Sequence, residues 1–177
     1  MTPIFVGMGS NQGESRVLLR EALVRLQDRV SGHLAAVSSL YRTEPVGYTQ
    51  QPDFLNAVAM FHGGDQPRAW LDLLLAVEAE LGRHREGPRW GPRPVDLDLL
   101  AVGTRSLETP HLTLPHPRIR ERRFVLAPWA EIAPDFELPD GLSVSRLRDV
   151  CPDEGAVAKV AGPEWATDGP TSKGGGG

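Results

Sequence analysis

Apolar and polar residues along this chain follow two different periods, and the changes between them mark out its elements. Pro3 to Gly9 (PIFVGMG) is an apolar run that reads as a strand ending at glycine, with SNQG as the turn after it. Residues 14–30 switch to helical spacing, with Leu19, Ala22, Leu23, Leu26 and Val30 on one stripe and Gly32 as terminator. Leu34 to Arg42 reads as a second strand and Phe54 to Phe61 as a third. Between them the polar loop EPVGYTQQPD is long for a simple hairpin, and such loops often carry function. A second helix starts near Pro67, a favourable first helical position, and runs to Leu81 with Gly82 as its stop. Its stripe is Leu71, Leu74, Leu75 and Leu81, and Glu78 falls on it. A carboxylate there sits either at the edge of the core or against a cationic partner. A fourth strand follows after residue 94, then a turn at Gly103 and Thr104 and a ribbon through 105–114. A short helix from Arg118 to about Leu126 and a small one near 144–150 complete the pattern. The order βαββαβ, with extra pieces, predicts an α+β sandwich with helices against a mostly antiparallel sheet. Residues 152–177, with seven glycines and three prolines, read as a flexible tail ending in a linker-like GGGG.

The chemistry concentrates in residues 83–100, RHREGPRWGPRPVDLDLL. Four arginines (Arg83, Arg85, Arg89, Arg93) and Trp90 sit among glycines and prolines, and Asp96 and Asp98 then open an apolar run. Strand alternation puts these two carboxylates on one face, with Val95, Leu97 and Leu99 on the other. A carboxylate pair on a rigid strand beside a cationic loop suits a magnesium–nucleotide reaction. The plain alternative is a loop running into an edge strand with a solvated acidic face.

Composition narrows the classes. At 177 residues one domain is the simplest organisation, and a 40% hydrophobic content is ordinary for a globular chain. No apolar run approaches a membrane span, and no signal-peptide pattern opens the chain. One cysteine, Cys151, excludes an internal disulfide and fits a reducing, cytoplasmic setting, and the five scattered histidines argue against zinc. A net charge of −4 argues against general affinity for nucleic acid or membranes. Yet seventeen of the 19 basic residues are arginine, and eight of those fall in 83–93 and 118–123. Concentrated arginine on an acidic chain points to a local anion site, because the guanidinium fork matches phosphate.

Several segments together resemble the 6-hydroxymethyl-7,8-dihydropterin pyrophosphokinase family of folate biosynthesis. They are VGMGSNQG (6–13), SSLYRTEPVG (38–47), QPDFLNAV (51–58), RWGPRPVDLDLL (89–100) and LPHPRIRERRFVLAPWAEIAP (114–134). The last two are highly specific in combination. The resemblance implies a ferredoxin-like fold with mobile loops over the active site. It also implies magnesium-dependent transfer of pyrophosphate from ATP to the hydroxymethyl group of a reduced pterin, leaving AMP.

Residue by residue, the resemblance implies that Asp96 and Asp98 hold two magnesium ions on the triphosphate, and that Arg83, Arg85 and Arg93 lie near the phosphates. Arg85, Arg93 and Trp90 would belong to a closing lid, with Trp90 covering the pterin. His116 and Arg122 match residues contacting the nucleotide phosphates, Leu99 and Thr113 positions near adenine and ribose, and Glu78 a nucleotide-side acid. Phe54 and Phe124 match two rings that sandwich the pterin, Asn56 and Thr43 its edge contacts, and Pro45, Val46 and Gly47 a backbone segment beside it. Leu75 and His111 stand where relatives can have glutamine and arginine. The implied substrates are ATP and a reduced pterin alcohol; from the net charge no nucleic-acid or membrane partner is expected, and the protein is expected to be a monomer. A metal-dependent nuclease or phosphohydrolase using the aspartate pair would want more acidic ligands. A ferredoxin-like binding module would leave the arginines and DLD unexplained, and a P-loop kinase lacks its GxxxxGK[ST].

Overall fold

The computed structural model describes residues 1–45, 50–82 and 94–167. Strand β1 (Thr2–Ser10) runs through the middle of a six-stranded antiparallel sheet, between β4 (Phe54–Gly63) and β5 (Asp96–Val102). Both β2 (Gly32–Val37) and β3 (Leu40–Thr43) pair with β4, β2 along its second half and β3 along its first, and β8 (Val157–Ala161) adds to β3. With β2 and β3 taken as one interrupted strand, the core order is fourth, first, third, second, which is the ferredoxin-like arrangement. A small hairpin, β6 (Leu107–Glu108) with β7 (Thr113–Leu114), stands beside β5.

Helices cover both faces. Ile4, Val6 and Met8 of β1 point to a core shared with α1 (Ser15–Arg29) and α2 (Pro67–Glu80). Phe5, between them, points to a second core under α3 (Arg123–Ile132) and α4 (Val144–Asp149). A strand buried on both sides loses its alternation, so β1 reads as one apolar run.

Four expectations need correction. The predicted strand 34–42 is two strands, because Ser38 breaks it: its hydroxyl accepts the Val58 N–H at 2.9 Å, taking a position a ladder carbonyl would hold. The stripe of α2 is rotated from the predicted one. Trp70, Leu74, Val77 and Glu78 are buried, whereas Leu75 is 52% exposed. The helix expected over 118–126 begins as a one-turn 3-10 helix, Ile119–Glu121, and continues as α3 through Pro128. Proline removes one helical hydrogen bond, and burial of Leu126, Trp129 and Ala130 offsets that cost.

The fourth correction concerns residues 152–177. Val157–Ala161 is a sheet strand, and the 3-10 turn Pro163–Ala166 carries Trp165, which is fully buried and donates its indole N–H to the Ser38 carbonyl at 2.8 Å. The chain through residue 167 is thus part of the fold; residues 168–177 lie outside the described residues, as do 46–49 and the expected lid at 83–93.

The break at Ser38–Ser39 is fastened to α3 by Glu131. Its carboxylate accepts from the Ser39 N–H (2.8 Å), the Ser39 hydroxyl (3.0 Å) and the Tyr41 hydroxyl (2.5 Å), with Lys159 Nζ at 3.5 Å. Partial burial pushes the Glu131 pKa up, but the hydrogen bonds from Tyr41 and Ser39 and the Lys159 charge outweigh it and hold the group below the usual value. Burial and the same carboxylate push the Tyr41 pKa well up. A depressed carboxylate pKa means stability present above the unfolded value and lost as pH falls through the folded one. Glu131→Gln should therefore cost about 1–2 kcal/mol at neutral pH by urea titration, with the gap to the native protein narrowing below about pH 4.5. A gap of constant size at all pH values would contradict this assignment.

Candidate active site

The face of the sheet that carries α3 is only half covered. Beyond the first turn of α3 it opens into a cleft of about 1140 Å³. Backbone register explains what lines it. Gly7 pairs with Asp98, and Gly9 with Asp96 on one side and Asn56 on the other. Cross-strand partners share a face, so the two aspartates stand beside two positions without side chains. A Cβ on Gly9 would meet Asn56 Oδ1 at 2.8 Å and force that amide to shift, and one on Gly7 would meet Leu100 at a tight 3.3 Å. The two alternating glycines at the end of β1, Gly7 and Gly9, were the signal for this close approach, although the sequence reading placed the strand's end there.

Further along the same face, Tyr41 pairs with Asn56 and Thr43 with Phe54. Asn56 is 7% exposed and donates to the Thr43 hydroxyl at 2.7 Å. That bond leaves its carbonyl oxygen and second N–H as further polar groups at the cleft wall. Asn11 ties the far end of β1 to the next loop, donating to Gln51 Oε1 (2.8 Å) and the Pro52 carbonyl (3.1 Å), and Gln51 joins the lining. Phe124 enters from the first turn of α3, with the Arg122 guanidinium over its ring at 5.7 Å.

The cleft then curls around the outer edge of β5. There it is walled by Leu71, Leu75 and Glu78 of α2 and by the hairpin residues 109–113. Glu78 is 2% exposed and accepts the Leu97 N–H at 3.0 Å, so this buried carboxylate holds the outer edge of β5 between the two aspartates. Neither the rim nor the cationic-partner reading foresaw a backbone amide as partner.

His116 borders the cleft with its N–H tied to the Leu100 carbonyl at 3.0 Å. Burial, reinforced by the charges of Arg122 and Arg118 and opposed by Asp96, pushes its pKa down to about 4. Nδ1 accepts from the Arg118 N–H at 3.2 Å, so the proton of the neutral ring resides on Nε2. His116 is therefore a neutral donor at physiological pH. Arg122 Nη1 lies 4.0 Å from Asp98 Oδ2, and Arg118 also reaches the lining, although a 3-10 turn and not an α-helix separates the two arginines.

Thus Thr43, Phe54, Asn56, Glu78, Asp96, Asp98, Leu99, Thr113, His116, Arg122 and Phe124, expected from sequence, all line one cleft. Pro45 is described but is not among the lining residues. Val46, Gly47, Arg83, Arg85, Trp90 and Arg93 lie outside the described residues. Missed by sequence reading were Gly7, Gly9, Gln51 and, from the expected tail, Pro152 and Asp153. Among the described residues no group of three or more His, Cys, Asp or Glu could cage a metal. Two carboxylates on an open strand fit magnesium, which keeps waters and takes its remaining oxygens from phosphate.

Residues 5–134 match the model of a family described as 7,8-dihydro-6-hydroxymethylpterin-pyrophosphokinase. A 2-amino-4-hydroxy-6-hydroxymethyldihydropteridine pyrophosphokinase of Pseudomonas aeruginosa is 43% identical over 152 residues, 86% of this chain and 93% of that protein. The Bacillus subtilis protein of the same name is 44% identical over 133 residues, 75% of this chain and 79% of that one. A folate synthesis bifunctional protein of Arabidopsis thaliana is 41% identical over 132 residues, 73% of this chain but 26% of its own length. Among solved structures, wild-type HPPK-DHPS of Plasmodium falciparum with pteroate superposes with a TM-score of 0.67 at 12% identity, over 84% of this chain and 42% of that one. The chain spans under half of that protein, and at this identity the likeness concerns the fold.

Proposed function

Because the chain belongs to the 7,8-dihydro-6-hydroxymethylpterin-pyrophosphokinase family and is a pyrophosphokinase of folate biosynthesis, we propose that its cleft binds ATP and 6-hydroxymethyl-7,8-dihydropterin side by side across the Asp96–Asp98 pair. The observation that carries this reading is the shape of the cleft. One part lies over the sheet, between Phe54, Asn56, Thr43 and Phe124, and the other lies at the outer edge of β5, between α2 and the 109–113 hairpin. The two aspartates stand where the parts meet.

The first part suits a flat bicycle: two aromatic rings for its faces, and the Asn56 amide and Thr43 hydroxyl for its polar edge. Pro45, Val46 and Gly47 are assigned to backbone contacts with the same edge. The second suits the nucleotide, with Leu99 and Thr113 toward adenine and ribose. Leu75, exposed in the described structure, gives the base an apolar neighbour. His116, neutral and protonated on Nε2, donates to a phosphate oxygen, and Arg122 adds charge beside it. Arg83, Arg85 and Arg93 supply the remaining phosphate charge, and Trp90 covers the pterin. Asp96 and Asp98 would hold two magnesium ions, whose bound charge neutralises the triphosphate and the departing oxygen. Glu78 keeps the backbone between those ligands in place.

In the reaction the pterin hydroxymethyl oxygen forms a bond to the β-phosphorus. The bond from that phosphorus to the α,β-bridging oxygen breaks, AMP leaves with that oxygen, and the hydroxyl proton passes to solvent. No side chain of the cleft is assigned as a dedicated base, so alignment of the two substrates and stabilisation of charge are the main contributions.

The test is a product analysis with ATP labelled on the γ-phosphate, magnesium and the reduced pterin alcohol. Unlabelled AMP and a pterin carrying the label are expected. ADP, or labelled phosphate without a pterin product, would overturn the reading.

A further inference from the structure

The matched family region ends at residue 134, yet the cleft wall also contains Pro152 and Asp153. Asp153 is joined to the helix that delivers two of the proposed site residues. Its Oδ2 accepts the Arg123 N–H at 3.2 Å, the first N–H of α3. No side chain within the helix's own cap makes such a bond. The Arg123 side chain closes the junction from the other side, donating from Nε to the Asp153 carbonyl at 2.8 Å and from Nη2 to the Cys151 carbonyl at 3.5 Å. Asp153 is itself fixed, because its Oδ1 accepts the Gly155 N–H at 2.8 Å.

This junction sits between Arg122 and Phe124, the residues on either side of Arg123. Arg122 reaches toward Asp98 at 4.0 Å and Phe124 faces the cleft. A free N-terminal N–H is a fraying point, and a carboxylate there both satisfies the donor and favours the positive end of the helix. We propose that Asp153 is a positioning residue of the enzyme: it holds the first turn of α3 so that the Arg122 guanidinium meets the phosphates and the Phe124 ring meets the pterin. Residues 151–155 are then part of the active-site wall, which gives the C-terminal segment a duty in turnover besides stability. This rests on the cleft being the pyrophosphokinase site.

The test compares steady-state constants and melting temperature for the native protein, Asp153→Ala, Asp153→Asn and Trp165→Phe. Product formation by the native protein is measured first, and its absence would count against the functional reading and not against Asp153. Asp153→Ala should raise the KM for the pterin and lower kcat/KM by about tenfold. Asp153→Asn has one acceptor oxygen for the Arg123 and Gly155 N–H groups, and a neutral one, so it should recover only part of that loss. Trp165→Phe loses the indole bond to Ser38, neither residue of which lines the cleft, and should lower the melting temperature with unchanged constants. Unchanged constants in Asp153→Ala would overturn the proposal. Should that variant fail to fold, Asp153→Asn decides: a KM raised about twofold or more supports the role, and native constants refute it.

Discussion

Asp98→Asn should lower kcat by roughly 10²–10³-fold while leaving the melting temperature within about 2 °C of the native value. The reason lies in where the side chain stands. Its backbone is paired with Gly7 in the sheet, its carboxylate is partly exposed at the cleft, and Arg122 is at the edge of ion-pair range at 4.0 Å. Asparagine keeps the shape and one oxygen, so the strand and its register survive. What it loses is the charge that a hard divalent cation demands of its ligands. Asp96→Asn should behave similarly, from its place opposite Gly9. Full activity in both variants would refute the metal role, and collapse of the fold in both would make the pair structural.

Trp165→Ala has the largest expected effect on stability, about 3–5 kcal/mol, read as a fall in melting temperature of about 10 °C. The indole is fully buried in the core shared with α1 and α2, and donates to the Ser38 carbonyl at 2.8 Å. Its backbone carbonyl accepts from Arg20 Nε at 2.9 Å. Truncation leaves a cavity and an unpaired carbonyl at the point where β2 breaks into β3. A flexible tail would show no change at all, so a native melting temperature would restore that reading.

How far the sequence could be read follows from which forces leave a pattern. β1, α1, β4 and α2 declare themselves through burial on a fixed face, and their bounds were legible to within two residues. The facing of Asp96 and Asp98 followed from period two alone. The features that escaped depend on single contacts. Nothing in the run Leu34 to Arg42 announces that the Ser38 hydroxyl will replace a ladder carbonyl. Pro128 carries a stop signal that burial of its neighbours overrides. β8 has three exposed residues of five, so its strand pairing outweighs any apolar stripe, and glycines and prolines around it imitate a linker. Trp165 was its one conspicuous sign. For the cleft, residue types that suit phosphate, metal and a flat ring were readable, whereas Glu78 on a backbone amide and Asp153 on the start of α3 were not, because backbone amides have no letter in the sequence.

The most direct test is a count of bound manganese by electron paramagnetic resonance in the presence of α,β-methylene-ATP, whose bond at the cleavage site does not break, and the pterin alcohol. Two ions per chain for the native protein, and at most one for Asp96→Asn or Asp98→Asn, is the expected result. Two ions retained in both variants would show that the carboxylates at the meeting point of the cleft do not hold the metals.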